Sequence, residues 1–331
     1  MATEAEIKHS AINANGIRMH VAEQGEGPLV VLCHGWPELW YSWRHQLPAL
    51  AAAGFRVVAP DMRGYGQTDA PSNVHAYSLL HLVGDMVGLV AALNEREAII
   101  VGHDWGAPVA WTSALFRPDI FRAVAGMSVP YNLRSVAPPI ETLRKRGREN
   151  FYYVYFQKPG VAEAEFERDP AATIRRIMYS GSGDMPDRQL FSGLLPPGGG
   201  FLDTTLDPER LPAWLTEADL AVFVREYQRT GFRGGLNWYR NLDPNWELMA
   251  PWQDATIQQP ALFIAGAGDG VIRGMSKAVD RLPMSVPGLK RKLIIEGAGH
   301  WIQQERPAEV NAALFEFLAD IRSQMKGRRV A

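Results

Sequence analysis

The sequence predicts an α/β protein built on a largely parallel β-sheet. Short apolar runs that are typical of strands alternate with helix-like segments between residues 29 and 127, and strand-like runs return after residue 260. Two of these runs, Leu29–Cys33 and residues 261–265, are apolar throughout, as a strand needs to be when helices cover both faces of its sheet. A third observation is the stretch 102–106, Gly-His-Asp-Trp-Gly, which separates an apolar run from a helix-like segment.

Other segments of the chain fit the same class. Asn15-Gly16 predicts the turn of a hairpin, residues 78–93 have the apolar stripe of a core-facing helix, and Pro307 begins a final helix of the same kind. Further apolar runs predict parallel strands at residues 55–59, 98–101, 124–127, 261–265 and 292–296.

Between residues 133 and 244 the strand-like runs disappear. Aromatic and charged residues mix there, and the stretch 195–200, Leu-Pro-Pro-Gly-Gly-Gly, interrupts the segment. This pattern predicts a mostly helical insertion that carries a loop at residues 196–200. We therefore expect a core domain made of residues 1–133 and 245–331, and a helical domain made of residues 134–244.

Composition places the chain among ordinary globular proteins. Its 331 residues are 47% hydrophobic and 21% charged, enough for one large core with an insertion. The 34 basic and 36 acidic residues give a net charge of −2, so we expect neither a nucleic acid nor a membrane as a partner. Residues 1–6 lack the apolar segment of a secretory signal, and no apolar run approaches the roughly 18 residues of a membrane span, so we expect a cytoplasmic location.

The stretch 102–106 has the pattern of a nucleophile elbow. A Gly-x-nucleophile-x-Gly turn lets a strand and a helix approach closely, and it lifts the middle side chain above the edge of the sheet. That side chain is the carboxylate of Asp104. Asp104 is therefore the candidate nucleophile, and a serine esterase or lipase is disfavoured.

A nucleophile on such a turn needs a base and an orienting acid, which follow it in the order acid, then histidine. Asp269 lies in a glycine-rich loop after the strand at 261–265, and His300 lies in another after the strand at 292–296. Open α/β sheets place their sites beyond the carboxyl ends of parallel strands. The sequence therefore predicts a triad of Asp104, Asp269 and His300.

The loop after Leu29–Cys33 has the position of an oxyanion loop. Its sequence at residues 34–38 is His-Gly-Trp-Pro-Glu. The backbone amides of Trp36 and Trp105 are the two predicted donors, and a cis bond before Pro37 would aim the amide of Trp36.

Two polar residues of this loop are candidate supporting groups. His34 is expected to be a structural neighbour of the site. Glu38 would contact His300 or a reacting water, but a solvated carboxylate at the start of a helix explains Glu38 equally well.

Together these motifs resemble those of the α/β-hydrolase-fold epoxide hydrolases. The similarity runs from about His20 to about Leu318, and its two motifs in the insertion are more specific than the elbow. It implies an α/β-hydrolase fold: a mostly parallel eight-stranded sheet flanked by helices, with residues 134–244 as a helical cap. The segments that carry it are residues 34–38, 64–66, 102–106, 155–163 and 231–241.

The resemblance also implies two tyrosines in the cap that bind the epoxide oxygen. The first falls on Tyr152, three residues before a Tyr-Phe-Gln-x-Pro-Gly motif, and the second falls on Tyr239. Tyr153 and Tyr155 are neighbours that compete for the first position. Packing with a satisfied hydroxyl is the alternative explanation for both tyrosines.

These residues imply the hydrolysis of epoxides to vicinal diols. Asp104 would open the strained ring and form an ester, while Tyr152 and Tyr239 bind the departing oxygen. His300, oriented by Asp269, would then activate water to hydrolyse the ester. We expect an epoxide and water as partners of a monomer or homodimer. We expect no cofactor and no metal, because no ligand spacing such as His-Glu-x-x-His occurs.

Two other functions share part of this machinery. A haloalkane or haloacid dehalogenase uses the same aspartate, acid and histidine, and the indole N–H groups of Trp105 and Trp36 would bind its halide. The two tyrosines argue against it, because a halide leaving group needs no proton. A catalytically silent small-ligand receptor is the more remote alternative, and the complete set of reacting groups argues against it.

Overall fold

A single β-sheet forms the centre of the protein. The computed structural model describes residues 6–186 and 192–328, with side chains up to residue 322. The strands in these ranges are β1 (Lys8–Ala14), β2 (Ile17–Gln24), β3 (Leu29–Cys33), β4 (Arg56–Pro60), β5 (Ala98–His103), β6 (Phe121–Met127), β7 (Ala261–Gly266) and β8 (Leu289–Ile295).

The eight described strands join in the order β1-β2-β4-β3-β5-β6-β7-β8. Every neighbouring pair from β4 to β8 is parallel, whereas β2 pairs antiparallel with both β1 and β4. The prediction of a mostly parallel eight-stranded sheet is therefore confirmed. In such a sheet the loops that follow β3, β5, β6, β7 and β8 all lie beyond the carboxyl ends of the strands, and the candidate site residues meet there.

Helices cover both faces of the sheet. The described helices, including those between β6 and β7, are α1 (Gln46–Ala52), α2 (Leu79–Ala92), α3 (Gly106–Phe116), α4 (Pro139–Lys145), α5 (Tyr152–Tyr155), α6 (Val161–Phe166), α7 (Pro170–Gly181), α8 (Glu217–Thr230), α9 (Arg233–Arg240), α10 (Leu242–Leu248), α11 (Gly270–Gly274), α12 (Ser276–Ser285), α13 (Ile302–Glu305) and α14 (Pro307–Arg328). Short 3-10 helices lie at Trp40–Trp43, Val74–Tyr77, Leu202–Thr204 and Ala250–Trp252.

Strand β3 shows why a central strand is apolar along its whole length. Leu29, Val31 and Cys33 pack into an apolar layer that includes residues of α2 and α3. Val30 and Leu32 point to the other face and pack into a layer that includes residues of α1 and α14. Every residue of the strand is buried, so a polar side chain at any of these positions would lose its contact with water.

The segment between β6 and β7 is helical, as the sequence predicts. It contains α4 to α10, which we call the helical insertion, and its described residues add no strand to the sheet. The predicted boundary between residues 244 and 245 falls inside α10. The division into a core domain and a helical domain stays a prediction.

Predicted and observed strands differ mainly at their ends. Strand β6 begins at Phe121 and β8 at Leu289, in both cases three residues before the predicted starts. Strand β8 lies at the edge of the sheet, and its early residues Lys290 and Arg291 are exposed. An edge strand tolerates such charged residues. Because of them the start of β8 is not part of an apolar run, so the predicted strand begins too late.

In the described ranges, no helix combines the length and the apolar composition that crossing a bilayer requires. The prediction that the N-terminus carries no secretory signal depends on residues 1–6, and residues 1–5 lie outside the described ranges. The predicted cytoplasmic location therefore stays a prediction.

The elbow between β5 and α3 depends on close backbone packing. A Cβ atom at Gly102 would lie 2.0 Å from the carbonyl oxygen of Gly106, and one at Gly106 would lie 2.0 Å from the carbonyl oxygen of Cys33. Between the two glycines, Asp104 adopts a φ of 48°, in the left-handed region that L-residues rarely occupy. The turn therefore lifts the Asp104 side chain above the sheet, as the motif predicts.

Replacing Gly106 by alanine is expected to lower the free energy of unfolding by about 3 kcal/mol or more, because the new methyl group would overlap the backbone of β3. Urea denaturation would measure the change. Gly274→Ala is the matched control, because a Cβ there has no neighbour within 4 Å, and it should stay within about 0.5 kcal/mol of the parent or gain stability. Equal stability of the two variants would contradict the packing argument.

Candidate active site

The two carboxylate oxygens of Asp104 face different partners. The backbone amide of Trp36 donates a hydrogen bond to Oδ1 at 2.8 Å. The Nε2 atom of His300 lies 3.6 Å from Oδ2. Glycine at position 35 lets the oxyanion loop lie close to Asp104, because a Cβ atom there would be 2.4 Å from Oδ1 of Asp104. The cis bond predicted before Pro37 is present. One oxygen is thus held by a backbone donor, and the other faces the histidine.

Asp269 and His300 meet at the ends of β7 and β8, as predicted. Nδ1 of His300 lies 3.1 Å from Oδ1 of Asp269, and both side chains are buried. Asp269 also caps α11, where its Oδ1 accepts the N–H of Val271 at 2.8 Å. The structure therefore brings Asp104, His300 and Asp269 together in one array.

Charges inside this array shift each other's pKa. Burial by itself would lower the pKa of His300, but the carboxylates of Asp269 and Asp104 raise it well above its ordinary value. Burial would raise the pKa of Asp269, but the charge of His300 and the hydrogen bonds of this carboxylate lower it. The ionised carboxylate of Asp104 therefore increases the proton affinity of His300.

Tyr152 and Tyr239 project from the helical insertion into the cavity above Asp104. Tyr152 is the first residue of α5, Tyr239 lies in α9, and both line the cavity together with Asp104 and His300. Burial is the largest cause that raises both tyrosine pKa values well above their ordinary value. Both side chains are therefore neutral hydroxyls that can donate hydrogen bonds.

Tyr153, which competes for the first position, lies differently. Its ring packs against Tyr152 at 4.5 Å and against Tyr239 at 5.5 Å between centroids. It is not among the described residues that line the cavity. The geometry therefore favours Tyr152 over Tyr153 as the group that faces Asp104.

The cavity has a volume of about 720 Å³, including its open mouth. Apart from the polar groups above Asp104, much of its wall is apolar and aromatic. These walls include Trp36, Ile177, Met185, Phe201, Val271 and Trp301. The lining also includes Ser180, Ser182, Thr205 and Arg273. A space of this size and lining fits a small molecule that is apolar over much of its surface.

Trp105 follows the nucleophile and contacts one of the tyrosines. Its ring lies 5.1 Å from that of Tyr239 and is nearly perpendicular to it. The side chain therefore helps to orient Tyr239. Its backbone amide, predicted as an oxyanion donor, lies at the start of α3, next to Asp104.

Glu38 is buried, so the alternative of a solvated carboxylate is wrong. It accepts hydrogen bonds from Nδ1 of His103 at 2.7 Å and from the side-chain amide of Gln303 at 2.8 Å. Burial would raise the pKa of Glu38, but His103 and the other donors lower it to about 2. Nε2 of His103 lies 2.7 Å from the carbonyl oxygen of His300, so Glu38 supports His300 indirectly.

His34 supports the oxyanion loop from behind. Its Nε2 atom accepts the N–H of Met62 at 2.9 Å, and its Nδ1 atom lies 2.9 Å from the carbonyl oxygen of Gly35. Its role as a structural neighbour of the site agrees with these contacts.

The loop that carries His300 is bonded to the helical insertion. The N–H of His300 donates to the carbonyl oxygen of Gly181, the last residue of α7, at 2.8 Å. The buried carboxylate of Glu305 accepts the N–H of Gly299 from the same loop and the N–H of Gly183 from the insertion, each at 2.8 Å. Core and insertion therefore share one hydrogen-bond network at this point.

Sequence reasoning missed two residues of the site. Ser128 follows β6 directly and contacts both His300 and Asp269, and the strand-end rule that located Asp269 would also have located it. Phe201 forms part of the cavity wall, and Glu165 fixes it by accepting the N–H groups of Phe201 and Leu202 at 3.0 and 2.8 Å. No sequence signal links Glu165 to that loop, which continues from residues 196–200.

Comparison with known proteins places the chain in a family. The family model described as alpha/beta hydrolase fold matches residues 28–307. Epoxide hydrolase A of Mycobacterium tuberculosis is 48% identical over 94% of this chain and 97% of its own length. The chain belongs to the α/β-hydrolase-fold epoxide hydrolases.

Solved structures of epoxide hydrolases share the architecture of this family member. The enzyme from an endophytic Streptomyces matches with a TM-score of 0.93 at 48% identity and covers 96% of both chains. Epoxide hydrolase A from Mycobacterium thermoresistibile matches with a TM-score of 0.90 at 49% identity, covering 95% of this chain and 98% of that chain. The predicted α/β-hydrolase fold is confirmed.

Asp104→Asn is expected to lower the pKa of His300, because it removes the negative charge next to Nε2 and leaves the packing similar. An NMR titration of the His300 imidazole would measure the change. Asp119→Asn, at an exposed ion pair with Arg117, should leave the midpoint in place. An unchanged midpoint in Asp104→Asn would show that Asp104 does not control the charge of His300.

Proposed function

We propose that this enzyme hydrolyses epoxides to vicinal diols through a covalent ester on Asp104. The observation that carries the proposal is that Asp104 faces Tyr152 and Tyr239 across one cavity, with His300 beside it. A carboxylate attacks a strained ring only when the departing oxygen is stabilised, and two neutral phenols can do this. The names of the similar proteins support the same substrate class.

Ring opening is the first step. Oδ2 of Asp104, to which no backbone N–H of the described residues donates, forms a bond to one ring carbon while the bond from that carbon to the epoxide oxygen breaks. Tyr152 and Tyr239 donate hydrogen bonds to the departing oxygen, and one of them gives it a proton. The product is a neutral ester whose carbonyl oxygen, Oδ1, already accepts the amide of Trp36.

Ester hydrolysis is the second step. When Asp104 becomes an ester it loses its charge, so one of the causes that raise the pKa of His300 disappears. His300 then gives its Nε2 proton to the phenolate that ring opening leaves, and the neutral imidazole can act as a base. His300 takes a proton from water, whose oxygen attacks Cγ of Asp104, and the amides of Trp36 and Trp105 stabilise the oxyanion at Oδ1. The bond from Cγ to the alkyl oxygen then breaks, and His300 returns the proton to that oxygen.

The proton balance closes over the cycle. The acid formed on Asp104 ionises again, and its proton returns to Nε2 of His300. The net reaction consumes one epoxide and one water and needs no cofactor. Dehalogenation is less well supported, because Tyr152 and Tyr239 line the cavity and a halide leaving group needs no proton. The monomeric or homodimeric state stays a prediction, as does the cytoplasmic location.

His300→Gln is expected to accumulate a covalent adduct on Asp104, because ring opening uses Asp104 and the tyrosines whereas ester hydrolysis needs the base. Intact-protein mass spectrometry after mixing with an epoxide would detect a gain of one substrate mass. Asp104→Ala is the control and should show neither adduct nor turnover.

Isotope labelling tests the same route in the unmodified enzyme. During one turnover in ¹⁸O-water with enzyme in excess, the label should enter Asp104, because water attacks Cγ and the diol keeps a protein oxygen. Label in the first diol would mean that water opens the ring directly, and the ester route would be wrong.

Tyr152→Phe and Tyr239→Phe are each expected to slow ring opening by about 10- to 100-fold, since acid catalysis by one positioned group contributes roughly 10²–10⁴-fold and the other tyrosine remains. Stopped-flow measurement of adduct formation would give the rates. Tyr153→Phe is the matched control and should slow the step by less than about 5-fold, because it keeps the ring that packs against Tyr152 and Tyr239 and removes a hydroxyl that does not line the cavity. If Tyr153→Phe had the larger effect, the first oxygen donor would be Tyr153.

A further inference from the structure

Ser128 occupies a strained turn at the end of β6. Its φ is 67°, and the N–H of Val129 bonds to the carbonyl oxygen of Met127 at 2.8 Å, which closes a γ-turn around Ser128. A γ-turn with a positive central φ is rare and unfavourable for a residue other than glycine. The N–H of Ser128 bonds to the carbonyl oxygen of Ile264 in β7 at 2.9 Å, which holds the turn against the sheet. Strain of this kind concentrates at functional positions.

The turn aims the Ser128 hydroxyl at the predicted acid and base. The side chain is buried, its Oγ atom lies 2.8 Å from Nδ1 of His300, and it donates a short hydrogen bond to Oδ2 of Asp269. Nδ1 of His300 is thus closer to Ser128 than to Asp269, whose Oδ1 lies at 3.1 Å. The histidine and the acid are joined by two routes, one direct and one through the hydroxyl.

The direction of the second route follows from proton counting. An ionised carboxylate only accepts hydrogen bonds, and a serine hydroxyl has one proton to donate. That proton goes to Asp269, so the oxygen of Ser128 must accept the N–H of His300. In neutral His300 the proton therefore sits on Nδ1, and the Nε2 lone pair faces Asp104.

We propose that Ser128 is a positioning residue that fixes the ring orientation and the tautomer of His300 for attack of water on the Asp104 ester. The inference rests on the proposed function, because it assigns Ser128 to the second step of that reaction. Ser128 does not touch the reacting atoms and acts only through His300 and Asp269.

Two variants distinguish the effect of losing the Ser128 hydroxyl from the effect of relieving the backbone strain. Ser128→Ala removes the hydroxyl and keeps the strain, whereas Ser128→Gly removes the hydroxyl and relieves the strain. Ser113→Ala is the matched control, since Ser113 is a buried serine of α3 whose hydroxyl has no hydrogen-bond partner among the described residues. Rapid-quench mass spectrometry with an epoxide would measure formation and decay of the Asp104 adduct separately.

Both Ser128 variants are expected to slow adduct hydrolysis by about 5- to 30-fold, the effect of losing one or two hydrogen bonds, and to leave adduct formation within about 3-fold. The adduct should therefore accumulate in both variants, and the Ser113 control should behave like the parent. A merely structural role would not change the ratio of the two rates in this way.

Several outcomes would overturn the proposal. Parent-like adduct hydrolysis in both variants would do so, and so would a parent-like rate in Ser128→Gly alone, because the backbone and not the hydroxyl would then be responsible. If Ser128→Ala failed to fold, Ser128→Gly would still decide the question. If no adduct formed even in His300→Gln, the ester route itself would be wrong, and the assignment of Ser128 to its second step would be wrong with it.

A measurement on the resting protein distinguishes these failures. ¹⁵N NMR of the imidazole, assigned by comparison with His300→Gln and recorded above the titration midpoint of His300, reports which ring nitrogen carries the proton. We expect the proton on Nδ1 in the parent and a mixture of tautomers in Ser128→Ala. A proton on Nε2 in the parent would overturn the proposed direction without any reference to turnover.

Discussion

The close backbone packing at the elbow is the constraint on which the site depends. Cβ atoms at Gly102 and Gly106 would overlap neighbouring carbonyl oxygens, so strand β5, helix α3 and strand β3 meet without intervening side chains. This contact holds Asp104 in a left-handed conformation that costs an L-residue roughly 1–2 kcal/mol. The same geometry brings the carboxylate to the amide of Trp36 and to His300. Without it the catalytic groups would have no common centre.

Burial keeps the two tyrosines of the candidate site neutral and strengthens the effect of nearby charges on the pKa of His300. Because water is largely excluded, the tyrosines are held as neutral donors, while the charges of Asp104 and Asp269 act strongly on His300. In the proposed reaction, the charge on Asp104 disappears when the ester forms, which weakens the hold on the proton of His300 at the stage that needs a base. A site exposed to water would couple the two steps far less, because solvent would screen these charges.

The sequence was sufficient for the sheet, the elbow and the placement of Asp104, Asp269 and His300, because these follow from local patterns and the strand-end rule. Long-range contacts account for what it did not reveal. Glu165 fixes Phe201 from 36 residues away, and no local pattern links the two residues. Ser128 is a different case, because it directly follows β6 and the strand-end rule applies to it as well. Tyr152 and Tyr239 were located only through resemblance to a family, since a buried tyrosine has no distinctive spacing of its own.

The hydrogen bonds that join the His300 loop to the helical insertion limit how the cavity can exchange its contents. Glu305 bonds to Gly299 and Gly183 at once, and His300 bonds to Gly181. If α7 swung away here, it would pull the histidine out of line with Asp269. An opening of the cavity that keeps these hydrogen bonds would leave His300 next to Asp269. The proposed base thus lies at the point where the helical insertion is hydrogen-bonded to the core.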